Sequence, residues 1–321
     1  MEQSGDECDV QELEGMAFGG PPENGIATEE PRSRARMDWS RVKRTTYLLH
    51  QYFSYTYPVP IADLRHRLVI LPPPVHGDQR LVAHHVGVSG ALAHIGERLD
   101  NFGNQVIEVT APLVERAIDF EARIVVERTS DAGLALLPAA AAADRRLLEP
   151  TKLTEPDAAL RAVARSLGGR YSQPLELAHQ ISRWVHGELH YAYGVTGIET
   201  TAAQALALGC GVCQDHAHVM IALCRLNGLP ARYVSGHLLG EGGTHAWLEV
   251  LVPDPDHPGY VTALPFDPTQ SARPGLNYVT VAVGRDYSDV APTSGTYRSG
   301  HGGQLSTSKR LGLTAVEYAA A

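Results

Sequence analysis

Cysteine is scarce, with four residues in a chain of 321. Four thiols cannot build a disulfide framework over that length, and reduced cysteines in a cytoplasmic compartment are the expectation. Long apolar runs are missing as well. No stretch approaches the ~18 residues a membrane-spanning helix requires. The first residues hold no cationic segment followed by an apolar one, so secretion is not expected either. Nor is there a run of five lysines or arginines, which argues against a nucleic-acid surface or a polybasic membrane patch. The net charge of −9 is unevenly spread. Residues 1–36 hold nine acidic residues against three arginines (Arg32, Arg34 and Arg36), hence −6, so the rest of the chain is close to neutral.

What is present suffices for two domains: 44% of the residues are hydrophobic, and ~100–200 residues make one domain. Residues 1–37, rich in Glu, Gly and Pro and without an apolar period, read as a disordered acidic tail, with Met37 a second candidate start. From residue 38 the texture is β. Residues 45–57 are dense in Tyr, Phe and Thr. Ile118, Phe120, Ala122, Ile124 and Val126 alternate with polar neighbours, the period of a half-buried strand. Residues 101–104 read as a hairpin loop. These features predict a small antiparallel β domain over 38–130, in which His84, His85 and His94 read as surface or satisfied core residues. Residues 131–153, with alanine from Ala139 to Ala143, form the linker. Over 154–300 helices come first, opening at Pro156-Asp157 and at Gln173-Pro174, and then at 213–227 with Gly228 as the stop. In the second of these, Leu175, Leu177, Ala178, Ile181, Trp184 and Val185 form an apolar stripe that places Trp184 in the core. Strands follow at 231–239, 244–252 and 260–266, and helices followed by strands predict an α+β domain. Residues 301–321 are a C-terminal extension.

Three constellations could carry chemistry. Cys210-Gly-Val-Cys213 is a C-x-x-C, a zinc half-site or redox pair in isolation, but no second C-x-x-C and no βαβ pattern supports it. Adding His186 and Glu188 gives the outline of a zinc-dependent deaminase, in which His186, Cys210 and Cys213 would hold the metal and Glu188 would move protons. Gly209 stands where that pattern carries proline, and everything after residue 213 is left without a role. The third combines Cys213 at a helix start with His245 and Asp267. A helix N-terminus favours a thiolate, an imidazole takes and returns its proton, and a carboxylate on the far nitrogen fixes the ring. Residue types alone leave a plain reading open: a buried helix cysteine, a strand histidine and a turn aspartate before Pro268. Cys210 reads as incidental, Cys224 as core. His216 and His218, two apart on a helix, are poor joint metal ligands. The 240–243 turn, Gly-Glu-Gly-Gly, lets the chain bend just before His245. Arg285 and Asp286 read as an ion pair or loop contacts.

The surrounding residues narrow the choice. Gly211-Val-Cys213-Gln-Asp-His-Ala-His218, Leu229-Pro-Ala-Arg-Tyr-Val-Ser-Gly236, His245-Ala-Trp247 and Asp267-Pro-Thr269 together closely resemble the transglutaminase-like superfamily. More narrowly, they are similar to its bacterial members with a β-rich N-terminal region. Tyr191, Tyr193 and Thr200-Thr201 match the approach to the cysteine, and Gly284-Arg-Asp-Tyr287 with Asp289-Val290 the tail, so residues 40–300 are covered. The resemblance implies an α+β fold, a papain-like core preceded by the antiparallel β domain. It implies a Cys213–His245–Asp267 triad that transfers or hydrolyses the acyl group of a carboxamide or peptide through an acyl-thioester. Trp247 and Tyr191 are the candidates for the substrate groove, with core filler an equal reading for Trp247. His216 replaces the family's usual aromatic, and residues 254–259 lengthen a loop; both bear on that groove. The expected partner is a peptide, protein or amide substrate. No cofactor or metal is expected, since no EF-hand loop occurs and the acidic residues of the catalytic half are scattered. The alternatives are a cysteine peptidase or amidase without crosslinking activity and a non-catalytic binding module. The oligomeric state is not fixed by the sequence.

Overall fold

Strands that alternate apolar and polar residues leave one face to be buried, and two such sheets satisfy this by packing together. The computed structural model describes residues 10–14, 37–171 and 173–319. One five-stranded sheet runs Gln304–Tyr318, Val42–Thr56, Ala117–Thr129, Gln79–Ser89, Val75–His76. The other runs Val10–Glu14, Thr293–Arg298, Ile61–Leu71, Gln105–Val114, His94–Leu99, and both are antiparallel throughout. Val42–Thr56 shows the alternation plainly, burying Tyr47, Leu49, Gln51, Phe53 and Tyr55 in succession. Between the sheets, His66 stacks on Phe120 at 4.5 Å and meets the Tyr55 ring edge-on at 5.0 Å. The loop after His94–Leu99 closes as expected of a hairpin: Asp100 accepts the N–H groups of Phe102 and Asn104.

The sandwich is wider than residues 38–130. Gln304–Tyr318, within the expected C-terminal extension, pairs along the whole of Val42–Thr56, and Thr293–Arg298 pairs with Ile61–Leu71. The late strands gave little signal because Gln304–Tyr318 buries only Leu311 fully. Within the stretch expected to be a tail, Val10–Glu14 pairs with Thr293–Arg298; residues 1–9 and 15–36 lie outside the described residues.

The second half is α+β, with helices and strands segregated along the chain. Its sheet runs Tyr278–Gly284, Ala231–Leu238, His245–Pro253, Tyr260–Phe266, Leu136–Pro138. The helix Cys213–Leu226 is buried along nearly its full length, packed against Ala231–Leu238 and His245–Pro253 and against the helices Ala158–Gly168, Pro174–Glu188 and Ala202–Leu208. Asp157 caps the first of these through the Leu160 N–H, and Pro174 opens the second. Residues 139–143 form a 3-10 turn. The two halves are joined along the edge strand Tyr278–Gly284. Gln79 bonds both backbone groups of Thr280, and Asn104 both of Val283, each side-chain amide standing in for a neighbouring strand.

Candidate active site

Cys213 is delivered by a short, tightly constrained approach. The helix Ala202–Leu208 ends at Gly209, which is left-handed (φ 66°), and Cys210–Gly211 pairs in parallel with His190–Tyr191. The next helix begins at Cys213. Asp215, in its first turn, accepts the Val212 N–H at 2.8 Å and the Thr196 hydroxyl at 2.7 Å. Burial raises the Asp215 carboxyl above its usual range even so. Gly211 is required here, because a Cβ would lie 2.5 Å from the Asp215 carboxylate. Cys213 is 4% exposed.

His245 opens the strand His245–Pro253 opposite Gly236. A Cβ on Gly236 would meet the Trp247 ring at 2.4 Å and the Val279 carbonyl at 2.2 Å, so only glycine lets the strands close behind the imidazole. Asp267 follows the strand Tyr260–Phe266 in a turn whose Thr269 and Gln270 N–H groups both donate to its Oδ1, at 2.9 and 3.1 Å. Its other oxygen receives His245 Nε2 at 2.7 Å and the Tyr278 hydroxyl at 2.9 Å. Four donors leave this fully buried carboxylate satisfied and in one orientation. Cys213 lies close enough to His245 to raise its imidazole, and Glu241 Oε2 lies 3.1 Å from His245 Nδ1. Burial disfavours charge on the ring, but Asp267, Cys213 and Glu241 outweigh it and hold the imidazole well above its ordinary pKa.

The three residues expected to act together, Cys213, His245 and Asp267, therefore meet, although 32 and 22 positions separate them in sequence. Tyr191 is 60% exposed. Its hydroxyl is raised by burial and by the nearby Cys213 and Glu241. Trp247 lies elsewhere: it is fully buried with Val234, Leu238, Tyr278 and Val283 and fills the core behind the imidazole rather than a groove wall. His186 turns to the Pro268 carbonyl at 3.0 Å, and among the described residues no three His, Cys, Asp or Glu side chains are grouped to hold a metal. Cys224 is core, its thiol pushed up to about 12 by burial. His216 faces the carbonyls of Val212 and Leu189, while His218 accepts the Tyr287 N–H, so they serve different neighbours. Arg285 pairs with Asp289, and Asp286 caps the Ser288 N–H. Sequence reasoning missed Tyr278, which bonds Asp267, and Glu241, which faces His245. Glu241 read as a turn residue, although its place four before His245 was the available signal.

Known proteins agree with this architecture. The family model described as the bacterial transglutaminase-like N-terminal region matches residues 47–127, and that of the transglutaminase-like superfamily matches residues 161–264. An uncharacterised protein of Mycobacterium tuberculosis is 32% identical over 248 residues, 68% of this chain and 76% of its own length. Another from Mycobacterium leprae is 35% identical over 166 residues, 49% of this chain. The match spans only 56% of that relative's own length. A solved structure from Cytophaga hutchinsonii, of a protein proposed to be a cysteine protease, shares the fold with a TM-score of 0.69 at 20% identity, over 87% of this chain and 94% of that one. Fold and site define the class, a papain-like thiol-enzyme architecture. The chain belongs to the transglutaminase-like superfamily, in the bacterial form that carries its own N-terminal region.

Proposed function

We propose that the protein is a thiol acyl-transfer enzyme acting on a carboxamide or peptide bond through Cys213, His245 and Asp267. The observation that carries this reading is the imidazole of His245, bonded to Asp267 at 2.7 Å through Nε2 and close enough to Cys213 to be raised by it. Asp267 holds the ring, so its second nitrogen faces the sulfur. The thiol proton passes to His245, and the thiolate attacks the carbonyl carbon. The resulting oxyanion is met by the free N–H groups at the start of the helix, beginning with that of Cys213. When the C–N bond breaks, His245 returns the proton to the departing amine, leaving a thioester on Cys213. Water or a second amine then attacks the thioester, giving hydrolysis or transamidation.

Incubation with peptide libraries bearing glutamine and internal amide bonds tests the proposal by intact-mass spectrometry. A covalent acyl adduct confined to Cys213, absent from Cys213→Ala and discharged by added primary amine or by water, is expected. Turnover that persists in Cys213→Ala would remove the cysteine from the chemistry.

A further inference from the structure

The proposed chemistry asks one carboxylate to hold His245, yet the ring has two. Nε2 is 2.7 Å from Asp267 Oδ2, and Nδ1 is 3.1 Å from Glu241 Oε2. The two carboxylates are tied to one turn. Gln270 donates its backbone N–H to Asp267 at 3.1 Å and its side-chain amide to Glu241 Oε1 at 3.3 Å. A neutral imidazole has one N–H and can satisfy one carboxylate; only the imidazolium donates to both. Among the described residues, the other groups facing the ring carry no positive charge. They are the Cys213 thiol, the Tyr278 and Trp247 rings at 5.9 and 6.1 Å, the Tyr191 hydroxyl, and His237 on the neighbouring strand, which burial keeps neutral.

We propose that Glu241 is a positioning residue for His245: its carboxylate holds the Nδ1–H of the imidazolium and favours the charged form of the leaving-group acid. The inference rests on the reading of Cys213 and His245 as the reacting pair. Nδ1 is also the nitrogen left to serve the sulfur, so Glu241 and Cys213 share one proton. Asp267 is fixed by four bonds, whereas the Glu241 side chain is 34% exposed in a turn that bends at Gly240 (φ 84°). Glu241 can therefore give way as the leaving nitrogen takes the Nδ1 proton. It gains no proton itself: the thiol proton moves to Nδ1 and from there to the amine. A carboxylate in contact shifts a neighbouring cation by ~1–3 pH units, and partial exposure puts this one at the low end.

The test is an NMR titration of the His245 ring in a Cys213→Ala background, where the thiol no longer contributes. Adding Glu241→Gln, which keeps the shape and removes the charge, should lower the midpoint by about one pH unit. Glu241→Asp should recover part of that shift. In proteins that retain Cys213, the change in iodoacetamide reactivity that accompanies loss of the imidazolium should move to lower pH with Glu241→Gln. The same His245 midpoint with and without Glu241→Gln would overturn the assignment. Failure of the underlying reading looks different: His245→Ala would then leave Cys213 alkylation unchanged, whatever Glu241 does.

Discussion

At the scale of single residues, the site is a set of exclusions as much as contacts. Cys213→Ala should abolish turnover while unfolding stays cooperative, because alanine suits the first turn of a helix. Asp267→Asn should keep some activity, about 10²–10⁴-fold reduced, since it damages the orientation of His245 and not the nucleophile. A fully active asparagine variant would reassign Asp267 to holding its turn, where it already receives two backbone N–H groups. Gly211→Ala is the sharper structural probe. The added methyl displaces the Asp215 carboxylate, releases the Val212 N–H and loosens the helix start that carries Cys213. Circular dichroism should show a folded protein, and steady-state kinetics a fall of at least tenfold in kcat/KM, which is a loss of ~1.4 kcal/mol of transition-state stabilisation. Unchanged kinetics would mean that the helix start tolerates the shift.

At the scale of elements, the edge strand Tyr278–Gly284 links the β sandwich to the site. Its outer backbone is covered by Gln79 and Asn104, and Tyr278 on the same strand gives its hydroxyl to Asp267. Asn104→Ala should strand the buried N–H and carbonyl of Val283 and cost about 1–3 kcal/mol in urea unfolding. A loss below a few tenths would show that the clamp is redundant. The motifs around Cys213, His245 and Asp267 were legible in sequence because together with their neighbours they resemble a known family, whereas residue types alone left a plain reading open. So were the helix openings, since Asp157 and Pro174 act locally. The pairing of Gln304–Tyr318 with Val42–Thr56 was not legible, because register between strands some 260 positions apart leaves no local period. Glu241 was hidden for a similar reason: its contact with His245 is made by the shape of a turn, not by a motif. Trp247 lies on the motif, but groove wall and core filler stayed equally open for it, since alternation along a strand cannot say which face meets solvent when both are buried.

At the scale of the molecule, buried histidines set the response to acid. Burial pushes His66 down to about 3, His218 to about 4 and His237 to about 3. All three stay neutral in the fold while the unfolded chain takes up protons below about pH 6.5. Stability is therefore lost as pH falls from that value, by up to ~1.4 kcal/mol per pH unit for each, until the folded values are reached. Glu249 acts in a lower window. Its burial is outweighed by Arg232 and His76, which bring it to about 2, so its contribution is present at neutral pH and fades between the ordinary carboxylate range and about 2. Urea unfolding at pH 7 and pH 5 should show a clear drop at pH 5. His66→Phe, which keeps the stack on Phe120, should lessen that drop. Equal stability at the two pH values would contradict the account of the buried histidines.

The central claim, that Cys213 is a nucleophile served by His245, is tested most directly by site-resolved alkylation. Exposure and chemistry point in opposite directions here: Cys210 is partly exposed, and Cys213 is buried at 4%. Limiting iodoacetamide at mildly acidic pH, read by peptide mass spectrometry, should nevertheless label Cys213 first, leave Cys224 untouched, and lose that preference in His245→Ala. Labelling that follows exposure, with Cys210 equal to or ahead of Cys213 and no change in His245→Ala, would contradict it.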